Sequence, residues 1–167
     1  MSDSRDLGCG MTLRNWTVST LAVVIGVLGL GLASAGPAAA TQTGNWRAFG
    51  NTNPITSTSD TTWWSCGHTI SVATDVLAQV CVVKNIRGTA RQGAVIVRNN
   101  RPGLYGAEAA VDLSTIDEGF YDRWICPRSG VGANSWSVCF GSTVLTENGM
   151  WAHGGVNGVD LPVSPYA

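Results

Sequence analysis

Charged residues are scarce in this sequence of 167 residues, and the few that occur balance one another. Ten Lys and Arg stand against eleven Asp and Glu, so the formal net charge is −1, and Lys84 is the only lysine. Proteins that bind nucleic acid need clustered positive charge to contact phosphates. The near-neutral composition therefore predicts no nucleic-acid partner. The excess of Arg over Lys, with abundant Ala and Gly, is typical of a GC-rich genome such as that of a secreting actinobacterium.

Motifs for catalysis and metal binding are also missing from the sequence. The two histidines, His68 and His153, lie in unrelated turn-rich contexts, and neither G-x-S-x-G nor H-E-x-x-H occurs. Ser65 precedes His68 by three residues, but the spacing offers no third group to orient such a pair. The acidic stretch 117–122 does not follow the pattern of an EF-hand loop, which has glycine at its sixth position and a terminal glutamate. We predict a protein that is not an enzyme and that needs no cofactor or metal.

The N-terminus has the pattern of an export signal. A polar start with two arginines precedes an uninterrupted apolar or glycine run over residues 21–32, and small-residue cleavage patterns end at Ala35 and Ala40. This order is typical of a secretory signal peptide. A membrane-spanning helix needs about 20 mainly apolar residues, and this run is shorter. We predict a signal peptide over residues 1–40, cleaved after Ala40 or Ala35, and a secreted protein with no membrane contact after cleavage.

The remaining cysteines form two matching brackets. Cleavage removes Cys9 and leaves an even number, which in an exported chain indicates a disulfide framework. Each bracket reads W-x-C, then a loop, then V-C, and the paired cysteines are 15 and 13 residues apart. Zinc sites need close pairs of the form C-x₂₋₄-C, which do not occur here. The brackets therefore favour sequential pairing, Cys66 with Cys81 and Cys126 with Cys139.

Short strands and turns account for residues 63–167. The run 104–113 alternates apolar and polar side chains, which is the period of a half-buried strand, although an alanine-rich short helix is the alternative there. Similar runs recur at spacings near ten residues, with no long amphipathic helix between them. The pattern predicts an all-β fold, a disulfide-stapled β-sandwich of seven or eight short antiparallel strands.

A Trp beside each disulfide resembles the arrangement of immunoglobulin-like domains and implies the same general architecture. In those domains, however, the cysteines join strands that are far apart in sequence, whereas these brackets are short. The likeness of the two brackets to each other indicates either a duplicated, pseudo-two-fold unit or a coincidence between two disulfide hairpins.

Strand parity predicts which tryptophans are exposed. Side chains two positions apart share a face and neighbours oppose one another. In each bracket the Trp of W-x-C therefore points with its Cys, toward the core. Trp63 adjoins Trp64 and points the other way, and Trp136 lies three residues before Cys139, on the opposite face. We expect Trp63 and Trp136 to be exposed, unless loops or the N-terminal segment cover them.

The segment 41–62 is polar but contains two large aromatic residues, Trp46 and Phe49. Such a segment buries too little apolar surface to order itself alone. It is either a mobile extension that becomes ordered on a partner, or an edge strand of the sandwich. Aromatic anchors dominate protein interfaces. We therefore predict a secreted binding or adaptor module that engages a protein partner through Trp46, Phe49, Trp63 and Trp136, as in a small subunit of a toxin-like assembly.

Two other functions fit the same sequence. One is a lectin-like carbohydrate-binding domain, in which Trp63, Trp136 or Trp151 stacks on sugar rings. The other is a secreted protease inhibitor. A single exposed, coplanar patch of the three indoles would favour the glycan, whereas an exposed Trp46 would favour docking of a protein through the N-terminal segment.

We expect the mature protein to contain no free thiol and to pair its cysteines within each bracket. The reason is the even number of cysteines after loss of Cys9 and the similar, short loops, each worth roughly 3 kcal/mol of stability when closed. Peptide mapping under non-reducing conditions measures the pairing. A peptide that links one bracket to the other would contradict it.

Overall fold

The computed structural model of the chain describes residues 41–117 and 119–167, and these residues form an all-β protein. The predicted signal peptide lies outside the described residues. Within them, no helix is long and apolar enough to cross a membrane. The elements are β1 (Gln42–Thr43), β2 (Asn45–Gly50), α1 (Pro54–Ser57), β3 (Thr62–Cys66), β4 (Ile70–Ala73), β5 (Val76–Asn85), β6 (Ala90–Asn99), β7 (Tyr105–Thr115), β8 (Gly119–Val131), β9 (Ser135–Phe140), β10 (Val144–Leu145), β11 (Met150–Val156) and β12 (Val159–Leu161).

The strands form two sheets. The five-stranded sheet has the order β1-β8-β7-β11-β12, and the seven-stranded sheet has the order β2-β9-β6-β5-β3, with β10 beside β6 and β4 beside β5. The all-β prediction is confirmed, but seven or eight strands was too low a number, because strands of two to four residues leave no alternating pattern to detect. The expectation of purely antiparallel pairing is wrong at β1, which runs parallel to β8.

The main core lies between the two sheets. On β7 the alternate residues Tyr105, Ala107, Ala109, Val111 and Leu113 are buried in it, so this segment is the predicted strand and not the alternative helix. Valines of β5 and β6 reach the same core from the seven-stranded sheet. The likeness to immunoglobulin-like domains goes no further than two sheets that share a core and a Trp beside a disulfide.

A second apolar cluster covers the outer face of the seven-stranded sheet. Its buried members are Cys81, Val83, Ala94, Ile96 and Val138. Because these alternate with the core residues of the same strands, the middle of β5 and of β6 is buried on both faces.

The short helix α1 packs on this outer cluster through Ile55. The side chain of Asn53 caps the helix by accepting a hydrogen bond from the Ile55 amide at 3.0 Å. Below it, Trp64 Nε1 donates to Thr58 Oγ1 at 2.8 Å. The predicted common face of Trp64 and Cys66 is therefore correct, but it is the outer face of the sheet and not the main core.

The cysteines pair as the brackets predicted, but the two disulfides join different kinds of strand pairs. Cys126–Cys139 joins β8 to β9, which belong to different sheets, and it lies in the main core beside Trp124. Cys66–Cys81 joins β3 to β5, which are neighbours in one sheet, on the outer face. The two brackets thus occupy non-equivalent places, and the structure does not support a pseudo-two-fold duplication based on them.

The N-terminal segment forms edge strands of both sheets. β1 pairs with β8 of the five-stranded sheet, and β2 pairs with β9 of the seven-stranded sheet. The chain crosses between the sheets at Gly44, where an added Cβ would lie 2.7 Å from Cys126 Sγ. The structure therefore favours the edge-strand alternative for this segment over a mobile extension.

We expect the stability lost on Trp-to-Ala substitution to follow the order Trp124, Trp64, Trp63. Trp124 is 1% exposed in the main core, so its truncation should cost about 3–5 kcal/mol. Trp64 is half-buried and should cost less, and Trp63, 64% exposed, should change stability by about 0.5 kcal/mol or less. Chemical denaturation of the three variants measures the order. Equal losses at Trp63 and Trp64 would mean that β3 is not a regular strand.

Candidate functional site

The four aromatic residues predicted to bind a partner lie in three different environments. Trp46 packs on the main core, and its Nε1 donates to the Pro127 carbonyl at 2.8 Å, so it serves the fold. Trp63 is exposed on the edge strand β3, beside Lys84, Ile86 and Ala167. The structure brings only the remaining two, Phe49 and Trp136, onto one surface.

Phe49 and Trp136 share the outer face of the seven-stranded sheet. They come from β2 and β9, where Gly50 is the partner of Trp136 and the register shifts between Ala48 and Gly50. Both side chains are half-buried against the outer cluster. This placement follows from strand parity for both residues, since Trp136 is three positions from Cys139 and Phe49 is three positions from Trp46. What the sequence does not reveal is that β2 and β9 are neighbours in one sheet.

Each of these two rings lies under an arginine. The guanidinium carbon of Arg47 is 5.0 Å from the centroid of the Phe49 ring, and that of Arg98 is 5.2 Å from the Trp136 ring. Both distances are within the range of a cation–π interaction. We call the surface formed by Arg47, Phe49, Arg98, Trp136 and Leu77 the cationic–aromatic face.

Arg98 is held in position by two further hydrogen bonds. Its Nε donates to Asn100 Oδ1 and its Nη1 donates to the Asn134 carbonyl, both at 2.7 Å. Asn134 has a φ of 48°, the left-handed conformation that asparagine tolerates better than most residues. The tight turn before β9 therefore supplies an acceptor that orients the guanidinium over the indole.

A small groove runs along this face beside Trp136. Its lining includes Thr69, Leu77, Gln79 and Arg98, and Thr69 Oγ1 donates to Gln79 Oε1 at 2.7 Å. Its volume is about 40 Å³, whereas small-molecule sites have volumes of roughly 300–1,000 Å³. The groove can accept a side chain of a macromolecule but cannot enclose a cofactor-sized ligand.

The structure separates the charges that balance in the sequence. Among the strands in the described part of the chain, those of the seven-stranded sheet contain no Asp or Glu. Their basic residues are Arg47, Lys84, Arg91 and Arg98. The strands of the five-stranded sheet contain the acidic residues Glu108, Asp112, Asp122 and Asp160 together with Arg123 and Arg128, so the separation concerns the acids. The uneven spacing of acids along the sequence is the signal that could have predicted this, since Asp75 is the only acid between residues 61 and 107.

Asp112, on the five-stranded sheet, takes part in the ion pairs found in residues 41–117 and 119–167. Asp112 on β7 and Arg123 on β8 are direct cross-strand partners, with Nε–Oδ1 at 2.6 Å and Nη2–Oδ2 at 2.5 Å. Asp112 raises the pKa of Arg123, first through these hydrogen bonds and then through its charge. His153 Nδ1 is 3.9 Å from Asp112 Oδ2. Across residues 41–117 and 119–167, no group of three His, Cys, Asp or Glu is placed to hold a metal ion. We interpret the pair as a structural link between two strands.

The three indoles proposed for glycan stacking do not form one patch. Trp136 lies on the outer face of the seven-stranded sheet. Trp151 alternates with the buried Met150 and Ala152 on β11, so it points outward from the five-stranded sheet, on the other side of the molecule. Trp63 stands apart from both on the edge strand β3. The arrangement that would have favoured a lectin is therefore missing for these three residues.

Known proteins offer no guide to the function of this chain. No protein-family model matches the chain, and neither the curated proteins nor the solved structures include a significant match. The fold and the exposed face define a disulfide-linked, two-sheet β-protein with a cationic, aromatic surface.

We expect Arg123→Ala to destabilise the protein by about 1–3 kcal/mol, because it leaves the carboxylate of Asp112 without its bidentate partner. That carboxylate is only 10% exposed, so water replaces the guanidinium poorly. The double variant with Asp112→Asn should recover part of the loss, since no buried charge remains. Thermal denaturation of the single and double variants measures this. An unchanged midpoint for Arg123→Ala would show that the pair contributes nothing to the fold.

Proposed function

We propose that this protein is a secreted, non-enzymatic binding module that engages a protein partner through its cationic–aromatic face. One observation carries the proposal. Phe49 and Trp136 are 87 residues apart in sequence, yet the fold places both on one accessible surface, each beneath an arginine. Trp and Arg are the residue types that contribute most to protein–protein affinity.

The support beneath the two rings and the size of the groove also favour a protein partner. The outer cluster supports the rings from below, so that binding does not have to order them. The groove beside Trp136 is too small for a ligand of cofactor size. Because the indoles lie on separate faces, a protein partner is a better fit than a glycan that stacks on several tryptophans.

Secretion is part of the proposal. Two disulfides in a small domain are typical of proteins that fold outside the reducing cytosol. The export-signal pattern over residues 1–40 agrees with that compartment.

The test is capture of a partner from the culture supernatant of the source organism on immobilised mature protein. We expect the wild type to retain a protein that Arg98→Ala and Trp136→Ala retain at least about tenfold more weakly, the effect of losing a central interface contact. Trp63→Ala is the matched control, because it removes a more exposed indole from another surface. Melting temperatures of all variants exclude loss of folding.

The opposite pattern would contradict the proposal. Retention that is equal in the wild type, Arg98→Ala and Trp136→Ala would show that the cationic–aromatic face is not the binding surface. Loss of the partner with Trp63→Ala alone would move the site to the edge strand β3.

A further inference from the structure

Three of the four sheet edges in the described residues are short or covered by the chain itself. The outermost strands of the five-stranded sheet are β1 with two residues and β12 with three, and β1 pairs with only Trp124 and Ile125 of β8. On the other side of the seven-stranded sheet, the C-terminal segment lies against β3, where Ser65 Oγ donates to the carbonyls of Pro165 and Tyr166 at 3.2 and 3.3 Å. Covering and shortening are the usual ways in which proteins prevent edge strands from pairing with other chains.

The fourth edge, β2, has neither protection. It is six residues long, and within residues 41–117 and 119–167 it pairs with β9 alone. It contains no proline, and four of its six residues are exposed. An edge strand directs unpaired backbone N–H and C=O groups to the side away from its partner. The Phe49 carbonyl already accepts a hydrogen bond from the Thr52 amide at 3.1 Å, so β2 offers a backbone template that ends before that carbonyl.

This edge borders the cationic–aromatic face. Arg47 and Phe49 lie on β2 itself, and Trp136 and Arg98 follow on β9 and β6, the next two strands of the sheet. A strand added beside β2 would extend the sheet and place alternate side chains next to that face.

We propose that β2 is the docking site of an extended, acidic segment of the partner protein, which adds to the seven-stranded sheet as a further strand. This inference rests on the proposed function and specifies the chemistry of the partner and the mode of binding. The backbone of the segment forms hydrogen bonds with the backbone of β2, as in a β-sheet. Carboxylates on alternate positions of the segment pair with Arg47.

The charge distribution argues for acidic side chains. Directly opposite residues on neighbouring antiparallel strands have Cβ atoms about 4.5–5.5 Å apart, and pairs of opposite charge there are stabilising. The described strands of the seven-stranded sheet carry no carboxylate, and the ion pairs found in residues 41–117 and 119–167 involve only Asp112 with Arg123 and His153. Arg47 thus has no carboxylate partner within the described residues, and a carboxylate on an added strand can pair with it.

The same distribution argues against a second copy of this chain. If the β2 strands of two copies paired edge to edge, their two Arg47 side chains would lie close together on neighbouring strands. Neither strand contains a carboxylate that could compensate. Like charges at such positions are destabilising.

The test is an NMR titration of isotopically labelled mature protein at low ionic strength. The probe is an eight-residue peptide in which Glu and Thr alternate, and the control is the same peptide with Lys in place of Glu. We expect the acidic peptide to shift the β2 amide signals and to slow their hydrogen exchange. Arg47→Glu should weaken its binding about fivefold to tenfold. Arg128→Glu, an exposed arginine of the five-stranded sheet, is the matched control and should leave binding unchanged.

The outcomes separate this inference from the proposed function. Shifts outside β2, or equal binding of the acidic and basic peptides, would overturn strand addition by an acidic segment. Concentration-dependent dimerisation with protection of the β2 amides would overturn it in favour of a second copy. If Arg98→Ala releases the captured partner but Arg47→Glu does not, the binding face stands and the docking of a strand on β2 is wrong. Peptide binding at β2 without any captured partner would support the inference while the proposed function fails.

Discussion

The disulfide between the two sheets is the constraint on which most of this structure depends. Cys126–Cys139 ties β8 to β9 through the main core, and neighbouring positions are adapted to it. Gly44 lets the chain pass close to Cys126 Sγ as it leaves one sheet for the other. Gly141 lies beneath the ring of Trp124, where an added Cβ would be 2.6 Å from Cε3. The N-terminal segment thus crosses from one sheet to the other close to this bridge.

That crossing gives β2 its place at the edge of the seven-stranded sheet. Trp46, the partner of Cys139 in the register, fastens β2 to the core by its contact with the Pro127 carbonyl. Phe49, three residues later, falls on the outer face because an odd number of positions separates it from Trp46. The polar segment is therefore ordered by two aromatic side chains that act on opposite faces of one sheet. The same arrangement exposes its outer edge and positions Arg47 beside that edge.

The outer face of the seven-stranded sheet needs support because its strands are apolar on both sides. The helix α1 and the Cys66–Cys81 bridge cover one part of it through Ile55 and Trp64. At the other part, Trp136 and Leu77 remain accessible and are accompanied by Arg98. Apolar surface that the described chain does not cover, next to oriented positive charge, is the physical basis of the proposed binding role. The net charge of −1 does not reveal this, since the acids found on described strands all belong to the other sheet.

The sequence by itself determined the cysteine pairing, the all-β class, the strand over Tyr105–Thr115 and the exposure of Trp63, because loop length and strand parity are local properties. Only the tertiary structure decided that Trp64 faces outward while Trp124 faces the core, because parity says which side chains share a face but not which face another sheet covers. The same holds for the candidate site. Phe49 and Trp136 meet through strand pairing across most of the chain, and the separation of charge depends on which strands join which sheet. Alternation of apolar and polar residues in one sequence predicts strands, but it does not predict which distant strands pair.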